Sequence, residues 1–389
     1  MNEKNKPKIA LIGSRGIPGR YGGAETFVYE LSKRLKKTFD CYVTCESGKF
    51  FMDEFEGIKR VHIPAFHTPT TTIPFIYDVI STIYLLSKIR GIRLVYYVGG
   101  PDGVLAAIVA RLTGRKVVIN TDGIEWKRLL KRMRFVPLHL KPLYMITGLL
   151  YLIAELLSCK VPHVTVADAI AIKNHLEWLW QPHKVVYIAY GVRKLPKISF
   201  QKQRKLLREL GVEPDGYYLT IGRIVAENNI HMEVEAFKRT SSERKLLIVG
   251  SVDPRDPYIK HLYKLKKRDK RIVFTGSIYD PETLYALRAN CHAYIHGYTV
   301  GGTNPSLLEQ LPFGRPILAY DVTFHREILK EVGIYFKSVN ELVKKIEDVD
   351  GRNNFHEIGE RLKEAAKRFT WDEVALGYTK LFIEIIKRK

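Results

Sequence analysis

Residues 8–35 read KIALIGSRGIPGRYGGAETFVYELSKRL. A short β-branched run, Lys8–Ile12, enters a glycine-rich turn, after which Phe27, Val28, Leu31 and Leu35 recur at helical spacing. This pattern describes a strand, a loop able to aim backbone N–H groups at an anion, and a helix whose N-terminus adds its dipole. Gly13, Gly16 and Gly19 imitate a dinucleotide fingerprint, and the loop taken alone fits a tight strand-to-helix turn equally well. Gly22, Gly23 and Glu25, rather than the third loop glycine, open the helix, and the acid after the second strand is displaced to Glu46. Both features weaken a nicotinamide-dinucleotide reading without removing it. No GxxxxGK[ST] segment exists, so a P-loop nucleotidase is unsupported.

Outward from this unit the same alternation continues, as in βαβ units that build parallel sheets covered on both faces. Strands are expected at Cys41–Cys45, Lys59–Ile63, Leu94–Val98, Lys116–Asn120, Val164–Ala167 and Val185–Ile188. A polar stretch with one proline, Tyr190–Ser199, interrupts the pattern, which restarts at Tyr217–Ile221, Lys245–Val249, Ile272–Thr275, Ala293–His296 and Pro316–Tyr320. At 389 residues the chain is long enough for two domains. The expected fold is α/β: two doubly wound Rossmann-like domains, residues 1–195 and 196–370, facing each other across a ligand-binding cleft. A C-terminal helix, residues 371–389, is expected to cross back to the first domain through Val374, Leu376, Leu381, Ile383 and Ile386.

In the second domain, strand Tyr217–Ile221 delivers Gly222-Arg223 and then Glu227-Asn228-Asn229 at its C-terminal end. An arginine there can hold a phosphate bidentately, although an isolated arginine more often pairs with a surface acid. Strand Ala293–His296 leads to Gly301-Gly302-Thr303-Asn304-Pro305-Ser306-Leu307-Leu308-Glu309, where Thr303 or Asn304 can cap a helix with Pro305 at its first position. Glu309 is expected one turn inside that helix, able to accept hydroxyls of a ligand or simply to complement the dipole.

In this order and context, these motifs resemble the large retaining family four of GT-B glycosyltransferases over nearly the whole length. SRGIP-x-x-YGGAE (Ser14–Glu25), DGIEWKR (Asp122–Arg128), Glu227-Asn228-Asn229 and GGTNPSLLE (Gly301–Glu309) resemble its bacterial rhamnosyltransferase branch. The resemblance implies a nucleotide-sugar donor, dTDP-rhamnose first among them, and a saccharide acceptor, lipid-diphosphate-linked in bacterial cell-surface polysaccharide synthesis. It assigns catalytic roles to Asp122, Arg223 and Glu309. Donor contacts fall to Gly22, Gly23, Arg223, Asn228, Asn229, Gly302, Thr303, Asn304, Ser306, Leu307 and Glu309. The acceptor or membrane side falls to Glu25, Glu125, Trp126, Lys127 and Arg128. The chain departs from the wider pattern in two places: Asn228 stands where a lysine is usual, and Gly301 where the first of two glutamates is usual. A 6-deoxy sugar with fewer hydroxyls would account for the second departure. Without an identifiable carboxylate pair, the chemistry implied is same-face attack on an oxocarbenium-like centre, not a covalent intermediate. A UDP- or GDP-hexose donor stays open as the alternative.

The 63 Lys and Arg against 41 Asp and Glu leave a net charge of +22, which attracts anions of every kind. Basic residues from Lys127 to Lys141 precede the apolar run Leu143–Leu157, a pattern that suits an anionic membrane surface or an ordinary core helix. That run is shorter than the ~20 residues that cross a bilayer. The cluster Lys260–Arg271 raises nucleic-acid binding as a competing class, but its helical spacing and Asp269 read as a solvated face. Four scattered cysteines make no disulfide framework, and the N-terminus shows a strand rather than a secretory leader, so a cytoplasmic location is expected, with peripheral attachment to the inner membrane face. No cofactor and no metal is expected to be required: Asp348-Val349-Asp350 matches a DxD metal motif but reads as a solvated turn.

Overall fold

A computed structural model describes residues 6–19, 23–65, 74–180, 184–352 and 354–388. The chain divides into two compact units, Met1–Trp126 with Thr147–Gly191 and Thr370–Lys389, and Lys127–Ile146 with Val192–Phe369.

In the first unit the strands are β1 (Lys8–Ile12), β2 (Asp40–Ser47), β3 (Phe51–Phe55), β4 (Ile58–Pro64), β5 (Ile92–Tyr97), β6 (Lys116–Thr121), β7 (Val164–Ala167) and β8 (Val185–Tyr187). They form one sheet in the order β3-β4-β2-β1-β5-β6-β7-β8, in which only the β3–β4 pair is antiparallel. The chain starts centrally at β1 and winds to either side, so the switch point lies between β1 and β5. Strands β1, β5 and β6 are buried on both faces, as their near-continuous apolar runs require. Strand β4 is the expected Lys59–Ile63 strand, whereas its hairpin partner β3 is absent from the expected strands because it is mostly exposed and carries no apolar alternation. The two-residue turn between them, Glu56-Gly57, has both φ angles positive (48° and 74°), the geometry that matches strand twist in a hairpin.

The second unit holds β9 (Tyr217–Ile221), β10 (Lys245–Val249), β11 (Ile272–Gly276), β12 (Ala293–His296), β13 (Ile317–Tyr320) and β14 (Ile334–Phe336). All pairings are parallel, in the order β11-β10-β9-β12-β13-β14, with β9 central and the switch point between β9 and β12. Helices Ile230–Arg239, Pro257–Lys266 and Val339–Asp350 pack Val234, Phe237, Leu262 and Ile346 onto the sheet. Asp348-Val349-Asp350 therefore ends a helix instead of forming a turn. Asp350 accepts hydrogen bonds from the Tyr218 hydroxyl (2.8 Å) and Arg244 (2.9 Å).

Residues 127–146, expected in the first domain, cluster with the second unit. Among the contacts that hold them, Arg132 pairs with the buried Glu227, and Phe135 packs edge-on against Tyr258 with ring centroids 4.8 Å apart. Helix Lys141–Lys160 is 20 residues long, three residues beyond the apolar run at its C-terminal end, which reverses the expectation that it is too short to cross a bilayer.

Helix Trp371–Lys387 belongs to the first unit. Thr370 caps it by accepting from the Glu373 N–H, and its buried face is Trp371, Val374, Tyr378, Leu381, Phe382 and Ile385. The expected contacts Leu376, Ile383 and Ile386 lie outside that face, Leu376 being 46% exposed, because the expectation passed over the aromatic residues that set its phase. Tyr378 meets Tyr96 hydroxyl to hydroxyl at 3.0 Å, and Phe27 packs on both Trp371 and Tyr378. Phe382→Ala is expected to destabilise the protein by about 3–5 kcal/mol, the usual cost of emptying a packed aromatic site, whereas Leu376→Ala changes little. Thermal melts of the two variants, compared with the unchanged protein, check the phase of this face.

Candidate functional site

In the first unit the loop after β1 is shaped by close approach. Gly13 and Gly16 have φ of 103° and 133°, in the left-handed region that disfavours a side chain. At Gly19 a Cβ would lie 2.8 Å from the Glu25 backbone carbon, so the loop folds directly onto the start of helix Gly23–Leu35. The Arg15 N–H donates to Glu25 Oε1 (3.3 Å). Glu25, expected on the acceptor or membrane side, is buried and fixes the loop from within. Gly22 lies outside the described residues, and Gly23 is the exposed first residue of the helix.

Asp122 follows β6 and is half-buried. Burial raises Tyr378 and Tyr96, and the nearby Asp122 charge raises both further. Asp168, buried at the end of β7, acts on Tyr378 in the same direction and was not singled out from the sequence. Its only local signal is an acid directly after a strand. Trp126 faces His175, which with Trp180 donates to the buried Glu155 carboxylate (3.1 and 2.7 Å).

In the second unit the expected site residues gather at the C-terminal ends of β9 and β12. Gly222 is obligatory: its φ is 156°, and the Tyr298 hydroxyl occupies the place of a Cβ. Arg223 follows with an exposed guanidinium that makes no ion pair or hydrogen bond to any described residue. Asn228 Nδ2 donates to the Arg223 carbonyl (2.7 Å), so this side chain shapes the loop. Asn229 is left-handed (φ 55°), which asparagine tolerates better than most residues. Glu227, 2% exposed, accepts a forked pair from Arg132 Nη2 (2.5 Å) and Nε (3.0 Å). Its carbonyl accepts from the Thr299 N–H (3.0 Å) and hydroxyl (2.8 Å), joining the β9 loop to the β12 loop.

On the β12 loop, Asn304 is the helix cap, accepting from the Ser306 N–H at 2.9 Å, with Pro305 at the first position. The helix Pro305–Leu308 is only four residues long, so Glu309 caps its C-terminus and does not lie one turn inside it. Glu309 is clamped by Arg288 Nη2 (2.9 Å) and Arg193 Nε (3.1 Å). Arg288 is fully buried and also donates to the Ser306 carbonyl (3.0 Å). Neither arginine was singled out from the sequence, because both lie far along the chain from Glu309 and interrupt no recognisable motif. Ser306 and Leu307, expected to touch a donor, are turned inward. The Ser306 hydroxyl donates to the Ile221 carbonyl (2.7 Å), while Leu307 is fully buried with its N–H bonded to the Asn304 carbonyl. Gly302 and Thr303 are also buried, and Gly301 (φ 146°) stands against Arg128, whose Nη2 lies 3.8 Å from the place of a Cβ. Glu125 starts helix Glu125–Arg132, and Lys127 is half-buried on it.

Beneath these loops the ionisable groups are held neutral at pH 7. Burial drives His296 far below its ordinary value, lowers His325 to about 4, and raises Glu233 to about 8. His296 stacks on Tyr298 (centroids 4.2 Å), and Thr220 bonds the Glu233 carboxyl at 2.6 Å. Burial thus favours the uncharged forms of these three groups, and the rim presents the unpaired cation of Arg223. Such a rim can hold an anion and stabilise charge that develops on it. Among the described residues no cluster of three His, Cys, Asp or Glu is placed to hold a metal ion.

Residues 202–369 match the family model "Glycosyl transferases group 1", and residues 6–193 match a domain of unknown function, DUF1972. No curated protein matches the chain. Among solved structures, sucrose-phosphate synthase from Thermosynechococcus elongatus is similar at 16% identity and TM-score 0.77, covering 98% of this chain and 99% of that one. A glycosyltransferase from Rickettsia africae ESF-5 is 17% identical with TM-score 0.70, over 99% and 100% of the two chains. Anabaena Alr3699/HepE, solved in complex with UDP-glucose, is 17% identical with TM-score 0.71, over 97% and 99%. Residues 202–369 thus form a domain of the group 1 glycosyl transferases, and the chain is a glycosyltransferase of the GT-B fold.

One prediction concerns the neutral floor. The unfolded chain releases the Glu233 proton near the ordinary value of 4.5, while the folded protein keeps it to about 8. The folded state binds more protons in that window, so this group makes stability fall as pH rises from about 4.5 to about 8. Glu233→Gln is expected to flatten the decline of melting temperature between about pH 6 and about pH 8; an unchanged slope would show that Glu233 is ionised in the fold.

Proposed function

We propose that this protein moves a sugar, rhamnose from dTDP-rhamnose, onto a lipid-diphosphate-linked saccharide in bacterial cell-surface polysaccharide synthesis, with retention at the anomeric carbon. The observation that carries the nucleotide-sugar reading is Arg223, an unpaired guanidinium over an uncharged floor, set at the switch point of a parallel sheet. The UDP-glucose held by the Anabaena neighbour supports the same class of donor. The choice of rhamnose rests on the resemblance of Ser14–Glu25, Asp122–Arg128, Glu227–Asn229 and Gly301–Glu309 to the rhamnosyltransferase branch.

In this reading the bond from the anomeric carbon to the β-phosphate oxygen breaks, its electron pair leaving with the nucleoside diphosphate. Arg223 and the N–H groups of the flanking loops stabilise the growing negative charge, which is where preorganised cations lower a barrier most. The acceptor hydroxyl attacks from the face the diphosphate vacates, and its proton passes to the leaving phosphate. Glu309, paired with Arg193 and Arg288, keeps lone pairs for the ribose hydroxyls of the donor. Asp122 is assigned to orienting a hydroxyl of the acceptor.

A cytoplasmic location at the inner membrane face belongs to the same proposal. On helix Lys141–Lys160, Leu143, Met145, Ile146, Leu149 and Leu150 share one face and are 58–62% exposed. Each such side chain moved out of water contributes about 1.5–3 kcal/mol when fully buried, and the neighbouring Arg134 and Lys141 suit anionic headgroups.

Two measurements test these readings. Nucleotide release is expected from dTDP-rhamnose and not from UDP-glucose, UDP-N-acetylglucosamine or GDP-mannose, with at least a hundredfold loss in Arg223→Ala; release of UDP or GDP discards the rhamnose assignment. Co-sedimentation with vesicles containing anionic lipid is expected to fall at least tenfold in Leu149→Glu/Leu150→Glu. Equal pelleting of that variant removes the helix from the membrane reading.

A further inference from the structure

A nucleoside diphosphate brings two to three negative charges, and the exposed end of β9 offers only one unpaired cation of its own, Arg223. Asn228, five residues on, is uncharged and its amide is already bonded to the Arg223 carbonyl. The missing positive charge stands close by on a different segment. Helix Glu125–Arg132 carries Arg128, Lys131 and Arg132 at i, i+3 and i+4, and so on one face. Arg132 forks onto Glu227, the residue directly before Asn228, and Arg128 stands against Gly301 of the facing loop.

We infer that the helix Glu125–Arg132 is the second half of the diphosphate site, with Arg128 and Lys131 binding the phosphate groups that Arg223 alone leaves uncompensated. The inference rests on the nucleotide-sugar reading above and names the chain's own substitute for a cation at position 228. Arg132 is the positioning residue: its charge is matched by Glu227, and the pair fixes where the helix sits on the β9 loop. Arg128 and Lys131 then supply charge at the loops after β9 and β12. Lys131 makes no ion pair with any described residue. Burial and the like charge of Arg134 push its ammonium below the ordinary value against the pull of Glu227, a cost that a bound anion would relieve.

The test is calorimetric titration of the full-length protein with dTDP, UDP, inorganic pyrophosphate and thymidine. Arg128→Ala and Lys131→Ala are each expected to weaken dTDP and pyrophosphate about tenfold, which is about 1.4 kcal/mol, and to leave thymidine unchanged. Arg128→Lys is expected to recover most of the loss, and the loss is expected to shrink as salt is raised. Both residues lie at the surface of their helix, and a melting temperature matching the unchanged protein shows that a variant has folded. Affinity for dTDP within twofold of normal in both alanine variants, with binding lost in Arg223→Ala, would overturn the inference and leave the donor reading intact. The inference is overturned equally if those variants keep dTDP but lose anionic vesicles, which would assign the helix to the membrane. Failure of the unchanged protein to bind any nucleoside diphosphate or pyrophosphate overturns the donor reading and this inference together.

Discussion

Glu227 is the residue on which the organisation of the second unit's site turns. Its side chain, 2% exposed, would be an uncompensated buried charge but for the fork from Arg132. Removing one partner of such a pair leaves the other charge buried alone, at a cost of about 3–5 kcal/mol, so the helix Glu125–Arg132 is held where the carboxylate needs it. The Glu227 carbonyl at the same time holds Thr299, and the next residue holds the Arg223 carbonyl. One side chain and its backbone thus set the distances among three segments that are remote in sequence. The exposed cation of Arg223 is positioned by these bonds and makes none itself.

The layer beneath works by the opposite device. Glu233, His296 and His325 are deeply buried, and burial keeps each of them uncharged instead of pairing it. A charge of either sign there would compete with the rim for a bound anion or repel it. Leaving the floor neutral makes Arg223 and its loop the dominant field at the surface. Glu309 follows a third course: two guanidiniums pair with it, and a carboxylate accepts about four hydrogen bonds, so it still has capacity for hydroxyl donors.

How much of this the sequence displays depends on the range of the interaction. The central strands were legible, because a buried parallel strand leaves a continuous apolar run, as Tyr217–Ile221 and Lys116–Thr121 do. The cap of Asn304 and Pro305 was legible because capping is local. The β3–β4 hairpin was missed because β3 is an exposed edge strand without an alternating pattern, and Asp350 was misread because its partners, Tyr218 and Arg244, lie more than a hundred residues away. Arg193 and Arg288 escaped because their partner Glu309 lies in another segment, and Arg132 was read only as part of the basic run that begins at Lys127. A long-range ion pair leaves no periodicity and no motif, and an arginine in a basic chain attracts no notice. Leu307 erred in the other direction, since a motif position does not say which way its side chain points.

The same comparison of costs decides what the apolar helix Lys141–Lys160 can do at a bilayer. By length and apolar composition it is long enough to cross one. Its last turns, however, carry Glu155, which is 1% exposed and accepts from Trp180 Nε1 and His175 Nε2. Ser158 and Cys159 are buried beside it. Spanning would draw that carboxylate out of its hydrogen bonds into hydrocarbon, at a cost of several kcal/mol before the lost packing is counted. Lying in the interface buries the exposed face of Leu143, Ile146, Leu149 and Leu150 and leaves Glu155 where it is. The apolar gain is similar in the two arrangements and the electrostatic cost falls on only one of them, so the membrane contact proposed for this helix is one of resting on a surface and not of crossing it.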